Sequence, residues 1–123
     1  MMAKILVVDD EALLRSVLKD ALEEAGYTVV LAENGHVAIT LARTDPPDCI
    51  LMDIMMPDLD GYDACAVIKA DPAIAAIPVY LISATQDLRV VDRAEHVGAA
   101  GILPKPVPME ELLQTVALAL NPA

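Results

Sequence analysis

The stretch Cys49-Ile50-Leu51-Met52-Asp53-Ile54-Met55-Met56-Pro57-Asp58-Leu59-Asp60-Gly61 begins as a short apolar run, closes that run with a carboxylate and then passes into turn residues. An apolar run of this length, bounded by turn chemistry, reads as a strand covered on both faces. Such strands belong to parallel sheets flanked by helices, and the rest of the chain agrees. Strand-like runs occur at Ile5 to Val8, Thr28 to Leu31, Val79 to Ile82 and Gly101 to Leu103. Between the first two, Leu14, Val17, Leu18, Ala21, Leu22 and Ala25 recur at helical spacing and stop at Gly26, which predicts a helix starting near Glu11. Further helices are predicted from about Asn34 to Arg43, Tyr62 to Lys69 and Leu88 to His96, and a last one carries Met109, Leu112, Leu113, Val116, Ala117 and Leu120. The pattern is (βα)5, an α/β fold with a doubly wound, parallel five-stranded sheet. No repeat, low-complexity stretch or linker divides it, so residues 1–123 read as a single domain.

Composition narrows the function classes. Nineteen Asp and Glu against eight Lys and Arg leave a formal net charge of -11. A chain this acidic lacks the cationic surface that releases counterions from nucleic acid, so direct nucleic-acid binding is not expected. The hydrophobic fraction of 56% excludes disorder. There is no Phe and no Trp, and the only aromatics are Tyr27, Tyr62 and Tyr80, so the core must be aliphatic. Cys49 and Cys65 sit in an apolar run and a helical pattern, and read as buried reduced thiols. No apolar run approaches the roughly 18 residues of a membrane span, and Met1-Met2-Ala3-Lys4 leads straight into a strand, so a cytoplasmic protein is expected.

In an open parallel sheet the strand C-termini share one edge, and ligands bind there. The first strand ends in Asp9-Asp10, the third in Asp53, the fourth in Ser83-Ala84-Thr85 and the fifth, after Pro104, in Lys105-Pro106. Carboxylates, a hydroxyl and an ammonium gathered at one edge form a hard-oxygen cation site beside an anion site. Clustered acids repel unless a metal or protons neutralise them. Mg2+ suits the site, because it takes few protein carboxylates and commonly bridges to a phosphoryl oxygen. A carboxylate beside it can act as a nucleophile toward phosphorus, with Lys105 balancing phosphoryl charge and Ser83 donating to a phosphoryl oxygen.

Four motifs carry a resemblance: Val7-Val8-Asp9-Asp10-Glu11, then Asp53-Ile54-Met55-Met56-Pro57-Asp58-Leu59-Asp60-Gly61, then Ile82-Ser83-Ala84, then Leu103-Pro104-Lys105-Pro106. In this order, each at the end of a predicted strand, they resemble the receiver domains of two-component response regulators, over essentially the whole chain. The resemblance implies the flavodoxin-like strand order 2-1-3-4-5. It also implies that Asp53 accepts a phosphoryl group from a sensor histidine kinase or a histidine phosphotransfer protein, in a reaction that needs Mg2+. On the same grounds Asp10 and Asp53 match direct metal ligands, Asp9 a ligand acting largely through water, and Met55 the position whose backbone carbonyl binds the metal. Ser83 matches the switch hydroxyl and Lys105 the phosphate-contacting lysine, preceding a peptide bond to Pro106 that is often cis in the family. The implied output is a change in the face built by the fourth helix, fifth strand and fifth helix, read by a downstream protein target or a fused output domain.

The chain departs from the family at signalling positions. Ile102 stands where a Tyr or Phe commonly turns inward on activation, Val107 stands where an aromatic often follows Lys-Pro, and Ala100-Gly101 replace frequently paired acids. The last helix has no Lys or Arg between Met109 and Leu120, which disfavours dimerisation through charge pairs on that helix. Other polar residues have simpler readings. Asp58 and Asp60 belong to the turn with Pro57 and Gly61. Asp9-Asp10-Glu11 also suit a helix N-terminus, Met55 and Met56 read as loop packing, and His36 and His96 as surface residues. Two other functions remain open: a receiver-like interaction module that is not phosphorylated, and a Mg2+-dependent phosphohydrolase working through an aspartyl phosphate. The phosphohydrolase usually spaces its acids as Asp-x-Asp after the first strand, whereas Asp9 and Asp10 are adjacent.

Overall fold

The computed structural model describes residues 2–121; Met1, Pro122 and Ala123, which the single-domain reading includes, lie outside the described residues. Among the described residues five strands, β1 (Lys4–Val8), β2 (Thr28–Ala32), β3 (Cys49–Asp53), β4 (Val79–Ser83) and β5 (Gly101–Pro104), alternate with five helices. The helices are α1 (Ala12–Glu24), α2 (Gly35–Thr44), α3 (Gly61–Ala70), α4 (Leu88–His96) and α5 (Met109–Leu120). All strand pairs are parallel, in the order β2-β1-β3-β4-β5. Each expected element is present, with boundaries within about two residues of the sequence reading.

The period of two along each strand divides the apolar side chains between two cores. Leu6 and Val8 of β1, with Ile50 and Met52 of β3, pack against Ala38, Ile39 and Ala42 of α2 and Ala64, Cys65 and Ile68 of α3. Ile5, Val7, Cys49 and Leu51 point the other way, onto Leu18 and Leu22 of α1 and Leu112 and Val116 of α5. Every residue of β3 is buried, as its apolar run predicts. Each fully buried Leu or Ile is worth about 1.5–3 kcal/mol. Small residues on α2 and α3 let those helices lie close to the sheet, and the expected all-aliphatic core gains one aromatic, Tyr62 at the start of α3, which is 7% exposed. Both thiols are free and buried, and burial pushes Cys49 up to about 12 and Cys65 up to about 11.

The helix ends follow local chemistry. Asn34, Asp60 and Asp87 cap α2, α3 and α4, each accepting a hydrogen bond from the amide three residues on. Helix α1 closes at Gly26, whose φ of 99° lies in the region only glycine enters cheaply, while the Tyr27 amide bonds back to the Leu22 carbonyl at 3.1 Å.

The burial differs from the periodicity in α1. Of the six apolar residues at helical spacing only Leu18 and Leu22 are fully buried, whereas Val17 is 43% exposed and its neighbour Leu13 77% exposed. The helix touches the sheet along a narrow stripe, so its first turns carry apolar side chains in the open. Met55 also departs from the packing expected of it: its side chain is 78% exposed, while Met56 is buried. Both histidines lie on exposed faces of different helices.

Candidate functional site

Parallel pairing carries the strand ends to one edge, and the hydrogen-bond ladder runs on past them. The Asp9 amide donates to the Ala32 carbonyl at 3.2 Å, the Ile54 amide to the Ile82 carbonyl at 3.1 Å, and the Lys105 amide to the Ser83 carbonyl at 3.0 Å. Asp9 and Lys105, just past β1 and β5, and Asp53, at the end of β3, are thus held on sheet-like backbone, which limits how far their side chains can drift. At β3 the following turn presses close: a Cβ on Gly61 would stand 2.5 Å from the Asp53 carbonyl oxygen, so only glycine fits there.

Asp9, Asp10 and Asp53 each place a carboxylate oxygen within 4.8 Å of the others. Asp9 is fully buried and Asp53 nearly so, while Asp10 is exposed. Lys105 Nζ donates to Asp53 Oδ2 at 3.1 Å and to Glu11 Oε1 at 3.2 Å, and lies 3.8 Å from Asp9 Oδ2. Burial lowers the pKa of this ammonium, but the Asp53 hydrogen bond and charge, with Glu11 and Asp9, more than reverse that and hold it above its ordinary 10.5. Asp9 moves the opposite way from a paired acid. Burial pushes its carboxyl from 3.8 up to about 6, opposed by the hydrogen bond from the Glu11 amide and reinforced by the charge of Asp53. One ammonium does not offset the acids gathered here.

Asp9 Oδ2 is buried with no hydrogen-bond partner, although Oδ1 takes the Glu11 amide at 2.7 Å. An orphaned buried carboxylate oxygen is costly unless something cationic meets it. Three carboxylates converging within reach of one ion, two of them shielded from water, are the hard-oxygen donor set that Mg2+ prefers, so the residues present fit a divalent cation.

The remaining predicted residues surround this cluster. The Met55 amide donates to Asp53 Oδ1 at 3.3 Å, leaving the other carboxylate oxygen to Lys105. Ser83 Oγ is engaged with its own loop, donating to the Thr85 carbonyl at 2.6 Å and accepting from the Thr85 amide at 3.2 Å. The Lys105-Pro106 peptide bond is cis. Ile102 packs against the core, half-buried beside a cavity of about 260 Å³ that Val91, Ala94, Ala99 and Gly101 help to line.

Two contributors were not singled out from the sequence. Glu11 has the sequence position of an acidic helix start, yet its side chain makes no capping hydrogen bond and reaches Lys105 instead. Arg15 donates from Nη1 to the Asp9 carbonyl at 2.6 Å, fixing the backbone of the buried acid. Its place one turn into α1 was the available signal, since that turn begins directly behind Asp9-Asp10.

Comparison with known proteins places this geometry in context. The family model described as response regulator receiver domain matches residues 5–117. The chain is 39% identical over 119 residues to Protein PilH of Pseudomonas aeruginosa, covering 97% of this chain and 98% of PilH. It is 37% identical to transcriptional regulatory protein PdtaR of Mycobacterium tuberculosis, covering 96% of this chain and 57% of that protein. It therefore spans nearly all of some relatives and about half of others. Among solved structures, Vibrio cholerae chemotaxis protein CheY4 superposes with a TM-score of 0.93 at 30% identity, covering 98% of this chain and 100% of that one. The signal receiver domain of a signal transduction histidine kinase from Syntrophus aciditrophicus superposes with a TM-score of 0.91 at 34% identity, covering 98% of this chain and 92% of that one.

Proposed function

The chain belongs to the response regulator receiver family of two-component signalling, a family of signalling domains and not conventional enzymes, and on that premise we propose that it acts as a phosphorylatable switch with Asp53 as the acceptor. The observation that carries the reading is Lys105 Nζ at 3.1 Å from Asp53 Oδ2, beside the unpartnered carboxylate oxygen of Asp9. Asp53 is a nucleophile whose carboxylate is held from both sides, by the Met55 amide and by Lys105. An Asp53 oxygen attacks the phosphorus of a phosphohistidine on a kinase or phosphotransfer protein. The O–P bond forms as the N–P bond breaks, and the departing imidazole keeps the electron pair and takes up a proton. Lys105 follows the charge, moving from the carboxylate to an oxygen of the transferred group.

Asp10 and Asp53, the Met55 backbone carbonyl and, through water, Asp9 would hold Mg2+, which when bound offsets the charge of the acids and of the phosphoryl group. Ser83 then exchanges its bonds to Thr85 for one to the phosphoryl group, which draws the loop from β4 toward the acids and shifts the α4–β5–α5 face. Exposed Leu13 and Val17, with Leu14 and Pro106, border a groove of about 480 Å³ beside Lys105, an apolar rim suited to a docking phosphodonor protein. Residues 1–123 operate as one receiver unit whose state is read by a downstream protein or a fused output domain. A cytoplasmic location follows from a kinase partner of this class; among the described residues no helix is long and apolar enough to cross a membrane.

With a small phosphodonor and Mg2+, intact mass should rise by one phosphoryl group, and Asp53→Asn should abolish the gain. A wild type that is never modified, or an Asn variant modified equally, sinks the assignment. Ile102 favours one second reading, a module that keeps the fold without signalling through phosphate. Beryllofluoride with Mg2+ separates the two: amide shifts spreading from Asp53 to α4 support the switch, and an unresponsive NMR spectrum supports the scaffold.

A further inference from the structure

Glu11 occupies the N-cap position of α1 without capping it. It also lies outside the cation cluster, which among the described residues comprises Asp9, Asp10 and Asp53. Its carboxylate is instead drawn to Lys105 Nζ at 3.2 Å, across 94 positions of sequence. A pair in which the acid is 62% exposed adds little to stability, so folding does not account for the contact. Lys105 offers a better account. Its ammonium faces Asp53 Oδ2 at 3.1 Å and Asp9 Oδ2 at 3.8 Å, two of the oxygens a divalent cation needs. Drawn fully onto them, the ammonium would compete with the ion for the same negative charge. The solvent-exposed Glu11 carboxylate competes with those two oxygens for the ammonium. The backbone of Glu11 cannot retreat, because its amide is tied to Asp9 Oδ1 at 2.7 Å and Arg15 pins the Asp9 carbonyl at 2.6 Å.

We infer that Glu11 is a positioning residue whose carboxylate shares the Lys105 ammonium with Asp53, holds it short of hydrogen-bond distance from Asp9 Oδ2 and so keeps that oxygen available to a divalent cation. The inference rests on the cation reading of the proposed function and assigns a control of affinity to a residue outside the ligand set. Glu11 acts on the ion through Lys105, so its influence requires that ammonium.

Calorimetric titration of Mg2+ into four folded proteins tests this: wild type, Glu11→Gln, Lys105→Met and the double variant. Glu11→Gln should weaken Mg2+ binding by about fivefold, the size of effect that one partly exposed charge pair can exert. In the Lys105→Met background the same substitution should change affinity far less, because no ammonium remains to be held. An equal loss in both backgrounds shows that Glu11 attracts the ion directly and overturns the inference, as does unchanged affinity in Glu11→Gln. A wild type that binds no Mg2+ overturns the cation reading itself, and this inference with it, an outcome distinct from the other two.

Discussion

The Cα of Gly61 faces the backbone carbonyl of Asp53 so closely that a Cβ would sit 2.5 Å from its oxygen and 2.8 Å from the Cα of Ile54. The first turn of α3 therefore leans directly on the end of β3. Backbone on both sides leaves nothing flexible to give way. Gly61→Ala should cost about 1–3 kcal/mol in urea unfolding and displace Asp53 enough to slow phosphoryl uptake. A variant as stable and as reactive as the parent would mean the two backbones can part at no cost.

Asp9 makes the cation-free protein sensitive to pH. Its carboxyl is raised from 3.8 to about 6 in the fold, chiefly by burial, so the folded state holds a proton that the unfolded state has released. The associated stability is fully present below about pH 4 and is lost as pH rises through about 6, a loss of order 1–3 kcal/mol. Thermal unfolding in a chelator should show this decline relative to Asp9→Asn, and Mg2+ above pH 6 should counter it. Parallel pH profiles for the two proteins would show that Asp9 does not carry the effect.

Met55 should set the lifetime of the phosphorylated state. Its side chain is 78% exposed and apolar, two residues beyond Asp53, where a polar group could orient an attacking water. Met55→Asn should speed loss of the phosphoryl group by a factor of a few, followed by intact mass after the phosphodonor is removed. An unchanged or slower decay would place control of hydrolysis elsewhere.

Lys69 braces the chain ahead of β4. Its ammonium donates to the carbonyls of Ala75 and Ile77, bridging the turn that leads into β4, and burial holds its pKa below the usual lysine value. Lys69→Met keeps most of the side-chain bulk but strips both carbonyls of their donor. A loss of about 1–3 kcal/mol is expected by thermal or urea unfolding, with Mg2+ affinity preserved. Parental stability would mean that water replaces the ammonium without penalty.

The architecture was legible because its signals are local. Apolar runs ending in Asp9, Asp53 and Ser83, a stop at Gly26 and the turn residues Pro57 to Gly61 each act within a few residues, and together they allow one α/β arrangement; that Asp60 of this turn also caps α3 emerges only in the structure. The parallel sheet then brings Asp9, Asp10, Asp53, Ser83 and Lys105 to one edge without further information. Burial was less legible. Helical spacing in α1 marked Val17 as a core residue, and it is exposed because the sheet covers a narrower stripe than the periodicity allows.

What the sequence determined by itself was the order of strands and helices and the roster of polar residues at the strand ends, since both depend on short-range pattern. Only the tertiary structure decided how those residues share charge. Lys105 meets Glu11 and Asp53 across 94 and 52 positions, Ser83 spends its hydroxyl on Thr85, and one oxygen of Asp9 is left buried and unpartnered. The physical reason is that desolvation and Coulomb attraction act through space, over a few ångströms, and two residues far apart in the chain feel them only after the sheet has brought them together.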